Sequence, residues 1–299
     1  MAEEKTQVQN ISDLLAQVRK NSAYLICVTG SSVGKMFKLT QPEMVIGRSS
    51  EADISINDDG ISRRHAKIVV RPDGSVNIVD LGSTNGTFYD GNRVDVHSLR
   101  DGDKIQIGST TILKFSYQDN LDEQYQKNLY ESATRDPMTR VYNKKYFADT
   151  FRKDFSYCLR HRVPLSLVIL DVDHFKKVND THGHQAGDFV LTRLATKIQE
   201  TIRTEDVFAR YGGEEFVLLL RECEEDKGFI FCERIRRLIE STDFTFENKK
   251  IPVTCSLGLA TLSDAEYPGP DEMIAAADKY LYRAKQSGRN RVEAKMLSR

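Results

Sequence analysis

Near residue 118 the hydrophobic pattern of this chain changes period, and no single architecture accommodates both halves. From Ala23 to Tyr117 it reads as short strands broken by turns: AYLICV, KMFKLT, MVIGR, DISI, HAKIVV, SVNIVD, TFYD and DKIQIGSTTILKFSY. The turns carry matching chemistry, with Arg71-Pro-Asp-Gly74 between two alternating strands and Asp90-Gly-Asn92 after another. Many short strands at this spacing predict an all-β sandwich over 23–117. Residues 136–299 instead mix amphipathic helices with apolar strands. Their pattern predicts helices at 143–162, 185–203, 225–241 and 271–287. It predicts strands at 164–173, 206–211, 214–222 and 251–262, with a last one near 291–294. Around Gly212-Gly213 that order is β-α-β-β-α-β, an α/β domain with a central antiparallel sheet.

Between the two, Leu121, Tyr125, Leu129 and Ala133 recur every four residues, which predicts a helical linker over 118–135. Its apolar stripe is either a solvated linker face or a helix–helix seam. Residues 1–22 read as a flexible polar tail, in which Ser12 could cap a short helix carrying Leu14, Leu15 and Val18.

Charge and cysteine usage exclude several function classes. Lys plus Arg number 43 against 44 acids, a net charge of −1, and the balance holds on both sides of residue 117. Neither half is a basic patch, which argues against nucleic-acid binding. Apolar runs such as Leu167–Leu170 and Val217–Leu220 are far too short to insert in a bilayer, and MAEEKTQVQN lacks the apolar core of a signal peptide. Cys27, Cys158, Cys223, Cys232 and Cys255 are odd in number and show no C-x-x-C spacing. They are expected to be reduced, mostly buried thiols in a cytoplasm, with no zinc site.

In the β-rich half four segments stand between strands: Gly47-Arg48, Ser62-Arg-Arg-His65, Thr84-Asn-Gly-Thr87 and Leu99-Arg-Asp-Gly-Asp-Lys-Ile105. Sandwiches carry binding residues at such loop ends, and Arg, Ser, Thr and Asn are the groups that grip a phosphate. Each segment alone is equally ordinary turn chemistry. Together, in this order, they resemble the forkhead-associated (FHA) domain over 23–117. That resemblance implies binding of a phosphothreonine peptide. By position, Arg48 and Ser62 would contact the phosphate, with Thr84 assisting. Asn85 would hold the peptide backbone and Arg63 would add a second peptide contact. Gly47, His65 and Gly86 would be architectural.

In the mixed half, the strand Pro164–Leu170 runs into Asp171-Val-Asp173, and Gly212-Gly213 leads into Glu214-Glu215 and another apolar strand. If those strands are neighbours, several carboxylates converge on one sheet edge. They form either a structural network or a cation site, and hard oxygen ligands favour Mg²⁺ or Mn²⁺. Two such ions serve nucleotidyl transfer. Five motifs sharpen this: Asp136-Pro-Met-Thr139, Asp171-Val-Asp-His-Phe-Lys-Lys-Val-Asn-Asp180, Gly183-His-Gln-Ala-Gly-Asp188, Tyr211-Gly-Gly-Glu-Glu-Phe216 and Ala284-Lys-Gln-Ser-Gly-Arg-Asn290. In that order they resemble the GGDEF family over about 136–295, whose members are diguanylate cyclases condensing two GTP into cyclic di-GMP with release of two pyrophosphates.

The resemblance implies a residue-by-residue assignment. Asp171 and Glu214 would bind metal with the Val172 carbonyl, two ions per GTP. Glu214 or Glu215 would assist deprotonation of the ribose 3′-hydroxyl. Lys176, Lys285 and Arg289 would neutralise the triphosphate. Asn179 and Asp188 would read the guanine edge, with Phe175, Gly212 and Gly213 also lining the substrate. Asp173 and Asp180 are open between structure and site, and His182/His184 read as turn residues. Arg203-Thr-Glu-Asp206 and Arg210 resemble the family's inhibitory site, where product binds. Glu214 replaces the commoner Asp and keeps its carboxylate, while Met138 and Arg140 stand where Leu and Gly are common.

The expectation is a diguanylate cyclase working as a homodimer, controlled by phosphopeptide binding and by its product. The alternative is a catalytically weak adaptor that binds GTP or cyclic di-GMP. Thr6, in a polar stretch, is a candidate phosphosite, so the phosphothreonine ligand is either this tail or a partner protein.

Overall fold

The structure, a computed structural model, describes residues 22–30, 32–203, 205–263 and 267–295. Thr6 and the short helix expected after Ser12 lie outside the described residues. The chain divides into two compact units, one ending at Glu131 and the other starting at Ser132.

The first unit is a sandwich. Its strands are β1 (Ser22–Cys27), β2 (Met36–Lys38), β3 (Glu43–Gly47), β4 (Ile54–Ser55), β5 (Ala66–Val70), β6 (Val76–Asp80), β7 (Thr87–Tyr89), β8 (Asn92–Arg93), β9 (Val96–Leu99), β10 (Lys104–Ile107) and β11 (Thr111–Gln118). One sheet runs β2-β1-β11-β10-β7-β8 and the other β4-β3-β5-β6-β9. Period-2 alternation turns Leu25, Ile46, Ile68, Ile78, Ile105, Ile107, Leu113 and Phe115 into one shared core. Asp90 and Gly91 both have positive φ, 48° and 77°, so the β7–β8 hairpin closes through a two-residue turn whose hand suits the strand twist. The strand β9 was not expected. Val96 is 60% exposed and its neighbours are His97 and Ser98, so alternation is silent and pairing with β6 makes the strand. Gly47, Thr87 and Leu99, expected between strands, are strand-end residues.

Helix α1 (Asn120–Thr134) follows, on the span the four-residue repeat predicts. No residue of it is buried, and Leu121, Tyr125 and Leu129 are exposed. On another face Glu123 accepts from the Tyr24 hydroxyl at 2.5 Å and from Lys38 at 3.1 Å.

The second unit contains α2 (Lys144–His161), β12 (Leu165–Val172), α3 (Phe175–His182), α4 (His184–Gln199), β13 (Val207–Arg210), β14 (Glu215–Arg221), α5 (Glu225–Ser241), β15 (Thr245–Phe246), β16 (Lys249–Lys250), β17 (Cys255–Leu262), α6 (Pro270–Gln286) and β18 (Val292–Glu293). The main sheet runs β13-β14-β12-β17-β18, antiparallel except for its last pair. Every residue of β12 and β17 is buried, because helices cover both faces. Val168, Leu170 and Leu218 meet Val190, Leu194 and Ile235 on one face. Leu167, Ile169 and Leu219 meet Phe147, Phe151 and Leu281 on the other.

Three local readings change. The segment after Asp173, to which the pattern assigns no element, is helix α3, which buries Phe175 and Val178 one turn apart; eight residues give too short a pattern to read. Helix α4 stops at Gln199 rather than 203, and the 251–262 strand starts only at Cys255. Before it stands an unexpected hairpin, β15–β16, whose Glu247 and Asn248 have φ of 47° and 62°.

At Gly258 helix α6 packs directly against the backbone of β17. A Cβ on Gly258 would lie 2.1 Å from the Ala277 carbonyl oxygen and 2.3 Å from the Leu281 nitrogen. Neither is a flexible group, so Gly258→Ala must push the helix off the sheet. We expect a loss of about 3 kcal/mol, read by urea denaturation; an unchanged midpoint would contradict this packing.

Candidate active site and loop-borne binding site

Strands β12 and β14 are hydrogen-bonded neighbours, with Asp171 directly opposite Glu215. The apolar runs thus deliver Asp171, Glu214 and Glu215 to one sheet edge. The glycine hairpin that sets this geometry is closed by the Tyr211 and Gly212 amides on the Glu215 carbonyl, at 2.8 and 3.3 Å. A Cβ on Gly212 would come within 2.8 Å of Glu215 Oε2. Arg210 braces the turn, donating to the Gly213 carbonyl through Nη2 at 2.7 Å and Nε at 3.1 Å, and pairing with Asp136 at 3.3 Å. Burial alone would raise the pKa of Asp136, but the Thr139 amide and hydroxyl and the Arg210 charge outweigh it and hold the carboxyl low.

Asp171 is the most perturbed carboxyl of the site. It is only 5% exposed, and burial pushes its pKa up to about 6; Lys285, 2.8 Å away, opposes the rise, while the Glu214 and Glu215 charges add to it. A single lysine leaves this edge short of positive charge, which is the electrostatics of a cation site. Among the described residues no group of three or more His, Cys, Asp or Glu side chains converges to hold a metal unaided. One or two carboxylates completed by substrate phosphates is the way Mg²⁺ is usually held, so the oxygen donors of Asp171 and Glu214 fit it.

Around this edge the expected substrate contacts are placed as follows. Lys176 is exposed in the first turn of α3, Asp188 is exposed near the start of α4, and Arg289 lies in the turn after α6. Asn179 Oδ1 is buried without a hydrogen-bond partner. A Cβ on Gly187 would sit 2.0 Å from that oxygen, so the glycine makes room for the amide. Phe175 is a core residue, 7% exposed, and braces α3 from inside. His182 ends α3 and His184 begins α4.

Arg203 and Asp206 close a turn on each other, Arg203 N donating to the Asp206 side-chain oxygen Oδ2 at 3.1 Å and Asp206 N to the Arg203 carbonyl at 3.3 Å. Burial raises the pKa of Asp206, while the Arg203 side chain is exposed. Arg210 faces the hairpin, as described above.

In the sandwich unit the loop residues gather at one end. Arg48 N donates to the Ser62 carbonyl at 3.1 Å, Thr84 N to Ser62 Oγ at 3.1 Å, and the two hydroxyls lie 3.4 Å apart. Asn85 Nδ2 bonds the Gly60 carbonyl at 2.9 Å. Beneath them His65, fully buried, accepts from Ser62 N at Nδ1 (3.2 Å) and meets the Gly86 carbonyl at Nε2 (3.1 Å). That pattern fits the neutral ring with Nε2 protonated, and burial lowers its pKa accordingly. A Cβ on Gly47 would lie 2.0 Å from the Arg63 carbonyl oxygen, so the loops close only over glycine. Arg48, Arg63, Arg64, Thr84 and Asn85 are all exposed above this frame.

Comparison with known proteins accounts for both units. The FHA family profile matches residues 44–108. Diguanylate cyclase DosC of Escherichia coli K12 is 35% identical over 173 residues, which cover 56% of this chain and 37% of DosC. Diguanylate cyclase A of Treponema denticola is 38% identical over 168 residues, 55% of this chain and 45% of that protein. The chain therefore spans less than half the length of these curated relatives. Among solved structures, the coiled coil and GGDEF domain of DgcB from Caulobacter crescentus, in complex with c-di-GMP, superposes with a TM-score of 0.55 at 29% identity, covering 58% of this chain and 92% of that one. Diguanylate cyclase SiaD from Pseudomonas aeruginosa, in complex with its activator SiaC, gives a TM-score of 0.52 at 31% identity, covering 58% of this chain and 69% of that one. The profile described as "Diguanylate cyclase, GGDEF domain" matches residues 133–291, and since that span is more than half of the chain and contains the glycine hairpin with its carboxylates, the protein belongs to the GGDEF family.

Proposed function

We propose that this protein condenses two GTP into cyclic di-GMP and two pyrophosphates. The observation that carries the reading is Asp171: a buried carboxylate opposite Glu215, raised to about 6, with Lys285 at 2.8 Å. Asp171 and Glu214 would hold Mg²⁺ or Mn²⁺, two per GTP, which when bound polarise the phosphates and the attacking hydroxyl. Glu214 or Glu215 accepts the proton of the ribose 3′-hydroxyl. Lys285, with Lys176 and Arg289, would neutralise the triphosphate. The partnerless Asn179 oxygen accepts from the guanine edge, which Asp188 also reads. Incubation with GTP and Mg²⁺, followed by identification of products, tests this. Saturable GTP or cyclic di-GMP binding without turnover would support an adaptor instead.

Each site holds one GTP, so two chains must face each other, and the exposed Leu121, Tyr125 and Leu129 stripe offers a seam for pairing. The FHA loops take a phosphothreonine peptide and thereby change how the chains meet. Product binds at Arg203 and Asp206, with Arg210 steadying the adjoining hairpin. Arg203→Ala is expected to leave initial turnover largely intact while weakening inhibition by cyclic di-GMP about tenfold, since the exposed fork is lost from a site away from the carboxylates. Equal inhibition of wild type and variant would return Arg203 to an ordinary turn residue.

A further inference from the structure

In the turn after α6 the backbone stays at positive φ for three residues in a row. Gly288, Arg289 and Asn290 have φ of 109°, 62° and 47°, three consecutive residues on the left-handed side, and only the first is glycine. Such conformations are uncommon for residues with side chains other than Asn and Asp, so Arg289 is the costly one, and held backbone of this kind gathers at functional sites.

Here the surroundings converge on Asn290. Its amide donates to Asp173 Oδ2 at 3.0 Å. Its side chain is tied at both ends, Oδ1 accepting from Arg236 Nη1 at 2.9 Å and Nδ2 donating to Glu240 Oε1 at 2.7 Å. Arg236 itself rests on Glu233 and Glu240. Asp173, 5% exposed, also accepts from the Thr254 hydroxyl at 2.8 Å and the Ser256 hydroxyl at 2.7 Å. Asp173 after β12 and the face of α5 therefore grip Asn290, and the start of β17 fixes Asp173 in turn. This accounts for Asp173 as an anchor rather than a ligand, with its acceptors used two residues from Asp171.

We infer that Asn290 is a positioning residue that acts through Arg289. Asp173 and the Arg236–Glu240 pair hold the strained turn, so that the Arg289 guanidinium stands ready for the triphosphate without being ordered on binding. The inference rests on the reading above in which Arg289 neutralises GTP phosphates. A loop that merely ended α6 would need left-handed backbone alone, which glycine supplies at no steric cost. It would not need a side chain clamped from a different helix.

The two roles separate in Asn290→Gly. Glycine accepts the same φ and keeps the backbone bond to Asp173, so the fold is retained, but the two side-chain ties to Arg236 and Glu240 are gone. We expect GTP affinity, measured by equilibrium titration with Mg²⁺, to fall about tenfold, with kcat/KM falling at least as far. In an Arg289→Ala background the same change should have no further effect, because the group being positioned is absent. Glu240→Gln, which keeps an acceptor for Asn290, should lose less than Glu240→Ala. Wild-type affinity in Asn290→Gly, or full additivity with Arg289→Ala, would overturn the inference. A wild type that binds GTP but makes no cyclic di-GMP would sink the cyclase reading while the affinity cycle still decides this one. A wild type that binds no GTP would sink both.

Discussion

Asp171→Asn is expected to lower cyclic di-GMP synthesis by about 10²-fold or more without lowering stability, the scale of loss seen when one transition-state stabiliser is removed. The two halves of this outcome come from one cause. Asp171 is buried at the end of β12, and its carboxyl is raised to about 6 chiefly by that burial, with Glu214 and Glu215 adding to the rise. A folded-state pKa above the ordinary carboxylate value means that folding favours the protonated form. Its contribution to stability is complete below the ordinary value and is lost as pH rises through about 6. At pH 7 the cation-free protein therefore carries a charge that folding disfavours, and asparagine removes it. Lys285 loses its partner but keeps access to water, with 31% of its side chain exposed. The metal-free variant should melt at or above the wild-type temperature at pH 7, and its stability should vary less between about pH 4 and 6. Near wild-type turnover would remove Asp171 from the metal site. A collapse in melting temperature would make it structural.

The architecture was legible because hydrophobic period survives in long elements. The continuous apolar runs of β12 and β14 and the four-residue repeat of α1 were open to reading, and the glycine hairpin announced where Glu214 and Glu215 would sit. Elements whose stability comes from pairing were not legible. Strand β9 has an exposed valine and two polar residues, and exists because β6 lies beside it. Helix α3 has a single apolar turn, and hairpin β15–β16 depends on left-handed Glu247 and Asn248. The candidate site shows the same division. Motif order named Asp171, Glu214, Lys285 and Arg289, but the support for Arg289 comes from Arg236 and Glu240, over forty residues away on α5. Nothing in the local sequence of α5 marks those two among other helix charges, and only the fold brings them to Asn290. Arg210, expected near a product site, donates to the hairpin carbonyl and Asp136, contacts that spacing alone does not reveal.

Arg48→Ala should abolish most binding of a phosphothreonine peptide drawn from the protein's own tail. A peptide of residues 1–12 phosphorylated at Thr6, titrated against a chain lacking those residues, is expected to bind the wild-type loops and to lose about 10- to 100-fold with the variant, the range for charge-assisted hydrogen bonds. Phosphorylation adds nearly two negative charges and three acceptor oxygens. Opposite them stand an exposed arginine and the Ser62 and Thr84 hydroxyls, 3.4 Å apart, on loops fixed by buried His65. The frame does not depend on the Arg48 side chain, because its contact with the Ser62 carbonyl runs through backbone N. Affinity should therefore fall without loss of fold. Sixteen residue steps from Thr6 to Ser22 reach about 55 Å when extended, against a radius of gyration near 13 Å for a domain of this size. A ligand so tethered acts at roughly millimolar effective concentration, so modest affinity suffices to fill the loops. Equal binding of the unphosphorylated peptide would argue against phosphate recognition. Failure of the phosphorylated one would move the ligand to another protein, leaving Thr6 an ordinary residue of a polar tail. If binding requires both the phosphate and Arg48, mixing Thr6→Ala chains with Arg48→Ala chains decides between cis and trans. Only a tail that reaches a neighbouring subunit can then restore an occupied site, in the one hybrid arm where both partners are intact.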